Sequence, residues 1–183
     1  MLSPEDRRTL LGIARETIRA ELQGLYPPDV ATDSADLKRP TACFVSLHNQ
    51  GRLRGCIGTF QYTTPLHKIV RKMAGQALRD PRFTQDPVTL DEIGEIDIEI
   101  SVLSPLEKMK DPLAEIELGR HGIIIESPWG SGCFLPQVAT ETGWSKEEFL
   151  SRCASGKAHL PPDAWKSDDT TVYRFEAEVF GEK

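Results

Sequence analysis

An alternating segment near the middle of the chain constrains the fold more than any other feature. Residues 94–104 read GEIDIEISVLS, in which polar and apolar residues alternate. Successive side chains of a strand point to opposite faces, so one face carries four branched aliphatic residues, Ile96, Ile98, Ile100 and Val102. The other face carries Glu95, Asp97, Glu99 and Ser101. The pattern predicts a strand with one face in the core and one face that is either exposed to solvent or part of a functional site.

Other extended segments indicate a sheet of several strands. TACFVSLH (41–48) and RLRGCIGTF (52–60) flank a short glycine-containing turn, which predicts a hairpin. HGIIIES (121–127) is a short apolar run bounded by glycine, and TVYRFEAEVF (171–180) alternates again. Both are predicted strands.

Three segments have helical periodicity and start signals. Residues 3–22 carry apolar side chains every four residues behind Ser3 and Pro4, and Ser145 begins a capping box for a helix to about residue 155. In 64–79 we expect Thr64 to cap the helix and Pro65 to open it. Residues 29–40 are polar and predicted as a loop.

The order of these elements indicates the fold class. Hairpins and separate helices without regular βαβ alternation predict an α+β fold, with a mostly antiparallel or mixed sheet flanked by helices. The 183 residues suit one domain, and no linker long enough to separate independent domains is apparent, so residues 1–183 are expected to form a single domain.

The charge of the chain is unevenly distributed. The net charge is −6 and the isoelectric point is near 5.3, which disfavours a general nucleic-acid binder. Residues 52–82, called here the basic segment, nevertheless carry a net charge of +6, because they contain seven basic residues and a single acid, Asp80. Its basic residues are Arg52, Arg54, Lys68, Arg71, Lys72, Arg79 and Arg82. They are either the solvated face of an amphipathic helix or an anion site, since arginine matches phosphate and carboxylate groups.

The strand RLRGCIGTF holds the strongest candidate for chemistry. Regular alternation places Arg54 and Cys56 on one face, where a guanidinium would favour the thiolate. Gly55 and Gly58 would let a ligand or another backbone approach closely. The alternative is structural: cysteine often packs as a small hydrophobe, and glycine in a strand can mark only a bulge.

The remaining chemistry is sparse. No CxxC, HExxH or Walker-type motif occurs, so we expect neither a metal site nor a cofactor. His48 lies on the partner strand of the predicted hairpin and is interpreted as structural. The acids at 95–99 are most simply a solvated sheet edge, with a counter-charge or general base as the alternative. The four cysteines are expected to be free thiols.

The turn Asp80-Pro81-Arg82-Phe83 has two interpretations of equal weight: a helix stop with an internal ion pair, or part of the Cys56 pocket. No apolar run approaches a membrane span of roughly 20 residues, and MLSPEDRR is too polar for a signal peptide. We therefore expect a cytoplasmic protein that does not bind membranes.

Several motifs occur in an order that resembles one known family. LRGCIGT (53–59), DPRF (80–83), IEISVLSP (98–105), HGIIIE (121–126) and FLPQVA (134–139) precede a C-terminal LPPDAW. Over nearly the whole chain this set resembles the AmmeMemoRadiSam system protein A family, the AMMECR-type domain. Where that family usually has a cysteine near a KAG sequence, this chain reads RCASGKAHL, so no role is carried onto Cys153.

The resemblance implies a larger and a smaller lobe with a cleft at the LRGCIG signature. It assigns the site to Cys56, with Arg54, Gly55, Ile57 and Gly58, and we add Thr59 from the same strand and Asp80 and Arg82 from the DPRF turn. It also implies a Memo-like protein and a radical SAM enzyme as partners.

Three functions remain open from the sequence. In the first, Cys56 is a catalytic or ligand-holding thiol for an anionic small substrate. In the second, the basic segment makes the protein a non-catalytic module that binds nucleic acid or a protein partner. A ligand sensor or scaffold without chemistry also fits the sequence.

Overall fold

The computed structural model describes residues 1–182. The chain divides into two compact units, one formed by residues 1–103 with 178–182 and the other by residues 104–177. Every strand pairing whose register is resolved is antiparallel. Helices accompany the strands in both units, which confirms the predicted α+β class.

The first unit begins with α1 (Pro4–Leu22), as predicted from its periodicity. The Ser3 side chain accepts a hydrogen bond from the backbone N–H of Asp6, and Pro4 occupies the first turn. Leu10, Ala14 and Ile18 are fully buried along one face. A short helix, α2 (Ala35–Lys38), lies in the segment predicted as a loop, with Ser34 as its cap.

The predicted hairpin is present as β1 (Cys43–Asn49) and β2 (Arg52–Thr59). Its turn places Gln50 and Gly51 at φ values of 49° and 79°, a left-handed geometry that glycine adopts without steric cost. β2 ends the strand order β2-β1-β3 of this unit, where β3 is Ile96–Leu103. The hairpin thus places the LRGCIG residues on a terminal strand.

The helix predicted for 64–79 is shorter at both ends: α3 spans Leu66–Ala77. Pro65 rather than Thr64 is the N-cap residue, and no side chain caps the helix, while the Thr64 carbonyl accepts a hydrogen bond from Thr41 N–H at 3.3 Å. The N–H of Leu66 likewise donates to Arg39 at 3.0 Å, and Pro65 forms a β-bridge with Pro40. Pairing with residues 39–41 keeps this segment extended and delays the helix start.

The alternation of β3 is confirmed from Ile96 to Ile100, but Ser101, predicted on the polar, solvated face, is only 2% exposed because both faces are covered at that end of the strand. Ile96, Ile98 and Ile100 are at most 1% exposed and belong to the same apolar core as α1 and α3. Asp97 and Glu99 are only partly buried on the other face. One face of the sheet is therefore core, and the other carries polar side chains.

The second unit has its own core, around Phe149, Ile123 and Trp165. Its elements are β4 (Glu107–Lys108), α4 (Pro112–Glu115), β5 (His121–Ser127), β6 (Gly130–Phe134), α5 (Pro136–Thr142), α6 (Lys146–Gly156) and β7 (Thr171–Gly181). β5 pairs with β6 and with β7, and β4 pairs with β7. The predicted capping box of Ser145 and Glu148 is present at the start of α6. The last residues of β7 belong to the first unit, beside β3.

Gly55 is required by close packing between β2 and the end of α3. A Cβ atom at this position would lie 2.2 Å from the Ala77 carbonyl oxygen and 3.7 Å from Leu47 Cδ1. The contact is to backbone, which cannot rotate away as a side chain can. The glycine thus lets α3 approach the strand.

We expect Gly55→Ala to lower the free energy of unfolding by about 2–3 kcal/mol, because strand and helix must separate to admit the methyl group. Urea unfolding followed by circular dichroism measures the change. Gly12→Ala is the matched control, since a Cβ at Gly12 in α1 meets nothing within 4 Å. Alanine is favoured in a helix interior, so this variant should be at least as stable as the parent. Equal stability of both variants would contradict the packing argument.

Candidate functional site

The register of the hairpin shifts at Arg54. Leu47 lies opposite Gly55, whereas His48 lies opposite Leu53, so Arg54 has no partner residue on β1. The extra residue is a β-bulge, which bends the strand and re-aims the side chain. The regular alternation used to place Arg54 beside Cys56 therefore does not hold through this position.

Arg54 is buried in a network with the segment that precedes β3. Only 7% of the residue is exposed. Its guanidinium donates to the Glu92 carboxylate and to the carbonyls of Asp86 (3.1 Å) and Pro87 (3.3 Å). Burial acts to raise the pKa of Glu92, but the hydrogen bonds from Arg54, Thr89 N–H and Asn49 outweigh it and lower that pKa. Arg54 thus fastens this segment to the hairpin.

Cys56 lies in a row of polar side chains that crosses three strands. It pairs with Ser46 on β1, and Ser46 pairs with Glu99 on β3. The hydroxyl of Ser46 donates to the sulfur of Cys56 at 3.2 Å. The row lies on the face opposite to the buried Val45 and Leu47. The Cys56 thiol therefore lies partly exposed on the polar face, with its sulfur hydrogen-bonded by Ser46.

Asp80 and Arg82 bind the backbone of Cys56 at the outer edge of β2. The Cys56 N–H donates to Asp80 Oδ2 at 2.9 Å, and Arg82 Nη2 donates to the Cys56 carbonyl at 3.2 Å. Asp80 is 2% exposed and also accepts from the Nε and N–H of Arg82, both at 3.0 Å. The DPRF turn is consequently both a helix stop with an ion pair and a neighbour of Cys56.

The pKa shifts agree with this geometry. Burial acts to raise the pKa of Asp80, yet the hydrogen bonds from Arg82 and from Cys56 N–H hold it below the usual value. The hydrogen bond to Asp80 is the main cause that raises the pKa of Arg82, and burial acts in the opposite direction. The Arg82 side chain is 54% exposed. Arg82, rather than Arg54, is the cation beside the thiol.

The other cysteines have different surroundings. Burial raises the pKa of Cys43 to about 12 and also raises that of Cys153, so both thiols are inert packing groups. Cys133, on β6, is partly exposed. All four cysteines are free thiols, as predicted.

The remaining residues of the signature face protein groups. A Cβ at Gly58 would meet the Phe44 ring at 2.2 Å, and Ile57 packs against the core. Thr59 ends β2, and its hydroxyl oxygen accepts the N–H of Gln61 at 3.1 Å. The space beside Gly55 and Gly58 is thus filled by Ala77 and Phe44.

The basic segment does not form one uniform cationic surface. Arg52 and Arg54 bind Asp86, Arg82 binds Asp80, and Arg79 binds Glu21. Most of these acids lie outside the segment, which is why counting charge within 52–82 overstated its free charge. Within residues 1–182 no ion pair or hydrogen bond involves the side chains of Lys68 and Lys72.

Sequence reasoning missed Ser46, whereas Glu99 was among the acids at 95–99 for which a general base was the alternative interpretation. Alternation could have placed Ser46 on the face of His48, but only the register of the hairpin shows that it lies opposite Cys56. His48 itself lies opposite Asp97 on β3. In the described part of the chain, no three His, Cys, Asp or Glu side chains are grouped to hold a metal ion. None of the described helices has the length and apolar character to cross a membrane.

Comparison with known proteins places the chain in a family. Residues 11–180 match the AMMECR1 family. A protein of Methanothermobacter thermautotrophicus is 41% identical over 188 residues, which cover 99% of this chain and 96% of that relative. Protein PYRAB00100 of Pyrococcus abyssi is 47% identical over 185 residues, covering 95% of this chain and 89% of its own length.

A solved structure agrees with this relationship. The crystal structure of the uncharacterized protein PH0010 from Pyrococcus horikoshii matches with a TM-score of 0.87 at 38% identity, covering 95% of this chain and 90% of that one. The family match spans nearly the whole sequence, and the fold is shared with a relative. The chain therefore belongs to the AMMECR1 family.

Proposed function

We propose that Cys56 and Arg82 form an active or ligand-binding site for an anionic small substrate. The observation that carries the proposal is the position of Arg82: its guanidinium is half exposed and donates to the Cys56 carbonyl at 3.2 Å, while the buried carboxylate of Asp80 binds it on the protein side. A guanidinium fixed in this way binds carboxylate or phosphate without having to be ordered on binding. Cys56 is the candidate catalytic residue.

The polar row supplies the other groups of the proposed site. The Ser46 hydroxyl orients the sulfur, and Glu99 is the neighbouring carboxylate on β3. A carboxylate in this place is suited to accept a proton from a bound substrate. Arg54 is not included, because Glu92 and Asp86 already occupy its guanidinium.

The resemblance to AmmeMemoRadiSam system protein A supports a finer assignment. In this proposal the protein acts in the cytoplasm together with a Memo-like protein and a radical SAM enzyme. The motifs LRGCIGT, DPRF and HGIIIE in this order are its support, and the DPRF turn is part of the site described above.

The binding-module alternative has support at one place only. Nucleic-acid binding needs free cations along a track, but the arginines at 52, 54 and 79 are engaged by acids. Lys68 and Lys72 are the free cations of the basic segment. Both lie on α3, and the cations on β2 do not continue them as a track of free charge.

We expect Cys56 to react with iodoacetamide at pH 7 faster than free cysteine does. Arg82→Gln should slow this reaction about fivefold, because a positive charge near sulfur stabilises the reactive thiolate. Alkylation rates are measured for each cysteine by mass spectrometry, with Cys133 as the second partly exposed thiol in the same sample.

Arg52→Gln is the matched control for that experiment, since it removes one positive charge from β2, the strand that carries Cys56, without affecting the contacts of Asp80. It should leave the Cys56 rate unchanged. A Cys56 rate no higher than that of free cysteine in the parent protein would exclude a nucleophilic role.

Asp80→Asn should lower the free energy of unfolding by about 2–3 kcal/mol at pH 7, because charge-assisted hydrogen bonds to Arg82 are lost. The folded-state pKa of Asp80 is depressed, so this stabilisation is present above about pH 4 and is lost as the pH falls through the folded value. Urea unfolding of both proteins between pH 7 and pH 3 should show the difference shrinking. Asp29→Asn, at an exposed ion pair, should change stability by less than about 0.5 kcal/mol.

If the partnership runs through this site, an affinity-tagged protein should co-purify with a Memo-like protein or a radical SAM enzyme from its own cells. Arg82→Glu should remove the partner from the eluate, because the reversed charge repels the anionic groups that Arg82 would bind. Arg52→Glu should retain it. Loss in both variants, or in neither, would count against a contact through Arg82.

A further inference from the structure

A groove between α1 and α3 in the first unit has the composition of an anion site. Its volume is about 290 Å³, and four basic side chains reach it from α3 and the turn that follows, Lys68, Arg71, Lys72 and Arg79. Thr17 and Glu21 of α1 also line it, as do Tyr26 and Pro27 of the segment after α1. Glu21 is the single acid among these residues, which leaves the lining with a net charge of +3. The chain as a whole carries −6.

Two of the four cations lack any counter-charge. Lys68 and Lys72 are exposed, one helical turn apart, and have no hydrogen-bond or ion-pair partner in the described chain. Like charges at this spacing destabilise a helix, and α3 contains no acid that would offset them. An anion bound between them would remove this repulsion.

The two arginines are held at the sides of the groove. Arg71 donates to the Pro27 carbonyl, lies 3.4 Å from the Asp29 carboxylate and stacks 5.3 Å from the centre of the Tyr26 ring. Arg79 forms an ion pair with Glu21 at 2.6 Å. These contacts fix the arginine side chains before any ligand arrives, which lowers the entropic cost of binding.

Gly75 allows Glu21 to take part in this arrangement. A Cβ at residue 75 would lie 2.1 Å from Glu21 Oε1, so the absence of a side chain there makes room for the carboxylate against α3. Glu21 thereby neutralises Arg79 at the wall rather than the lysines at the opening. The free positive charge of the groove is concentrated at Lys68 and Lys72.

We propose that this groove binds a small phosphorylated compound with at least two negative charges. Two mobile ammonium groups act as point charges, a mode suited to phosphate oxygens, whereas a single carboxylate would neutralise only one of them. The volume is near the lower limit of small-molecule pockets. The exposed Tyr26, 89% accessible, offers a ring surface beside the phosphate position. This site uses none of the residues assigned to the Cys56 site.

Isothermal titration of the full chain with inorganic pyrophosphate in low-salt buffer tests the proposal. We expect saturable binding at one site per chain that weakens as salt is added. The double variant Lys68→Gln with Lys72→Gln should bind about tenfold or more weakly, because both unpaired charges are removed. Far-UV circular dichroism and the unfolding midpoint confirm that the variant is folded, as is expected for two exposed side chains.

Lys108→Gln with Lys110→Gln is the matched control, since it removes the same charge from two exposed lysines of the second unit. It should leave the affinity unchanged, and Arg82→Gln should do so as well, which separates this groove from the Cys56 site, where Arg82 is the anion-binding group. The proposal is overturned if the parent protein does not bind pyrophosphate or if the Lys68/Lys72 variant binds it equally well. Tighter binding of a single-stranded RNA that depends on the same lysines would overturn the small-molecule assignment.

Discussion

The buried carboxylate of Asp80 is the interaction on which the candidate site depends. β2 lies at the end of the strand order in its unit, so the Cys56 N–H has no further strand to donate to, and Asp80 accepts it at 2.9 Å. The same carboxylate binds the guanidinium of Arg82 and turns it toward the Cys56 carbonyl. A free strand edge invites pairing with another chain, and the DPRF turn covers this one. One side chain thus protects the edge and places a cation beside the thiol.

The charges of the first unit fall into two groups with different physical roles. Arg54 is buried and neutralised by Glu92 and Asp86, so its charge ties a connecting segment to the hairpin and is not available to a ligand. Arg82, Lys68 and Lys72 keep exposed positive charge. An acidic protein that concentrates its free positive charge at two places can attract anions to them despite its overall repulsion. A count of residues does not separate these groups, because neutralisation depends on partners distant in sequence.

Local patterns predicted most of the fold for a simple reason. The alternation of 94–104 and the helical spacing of 3–22 each reflect burial on one face, and the structure has β3 and α1 at these places. The predicted start of α3 was wrong because Thr64 and Pro65 pair with residues 39–41. A contact between two separate segments leaves no signal in the local sequence. The short α2 was not predicted in its polar segment for the same reason, because the burial of Leu37 in the core stabilises it.

The sequence by itself determined the fold class, the hairpin around residues 49–51 and the importance of the segment that contains Cys56, because periodicity and turn residues act over a few positions. Only the tertiary structure decided which cation accompanies the thiol. A bulge at Arg54 breaks the two-residue period, and the register of β1 against β2 and β3 places Ser46 and Glu99 in the row of Cys56. Register and ion pairing join residues tens of positions apart, so they follow from the packing of the whole unit.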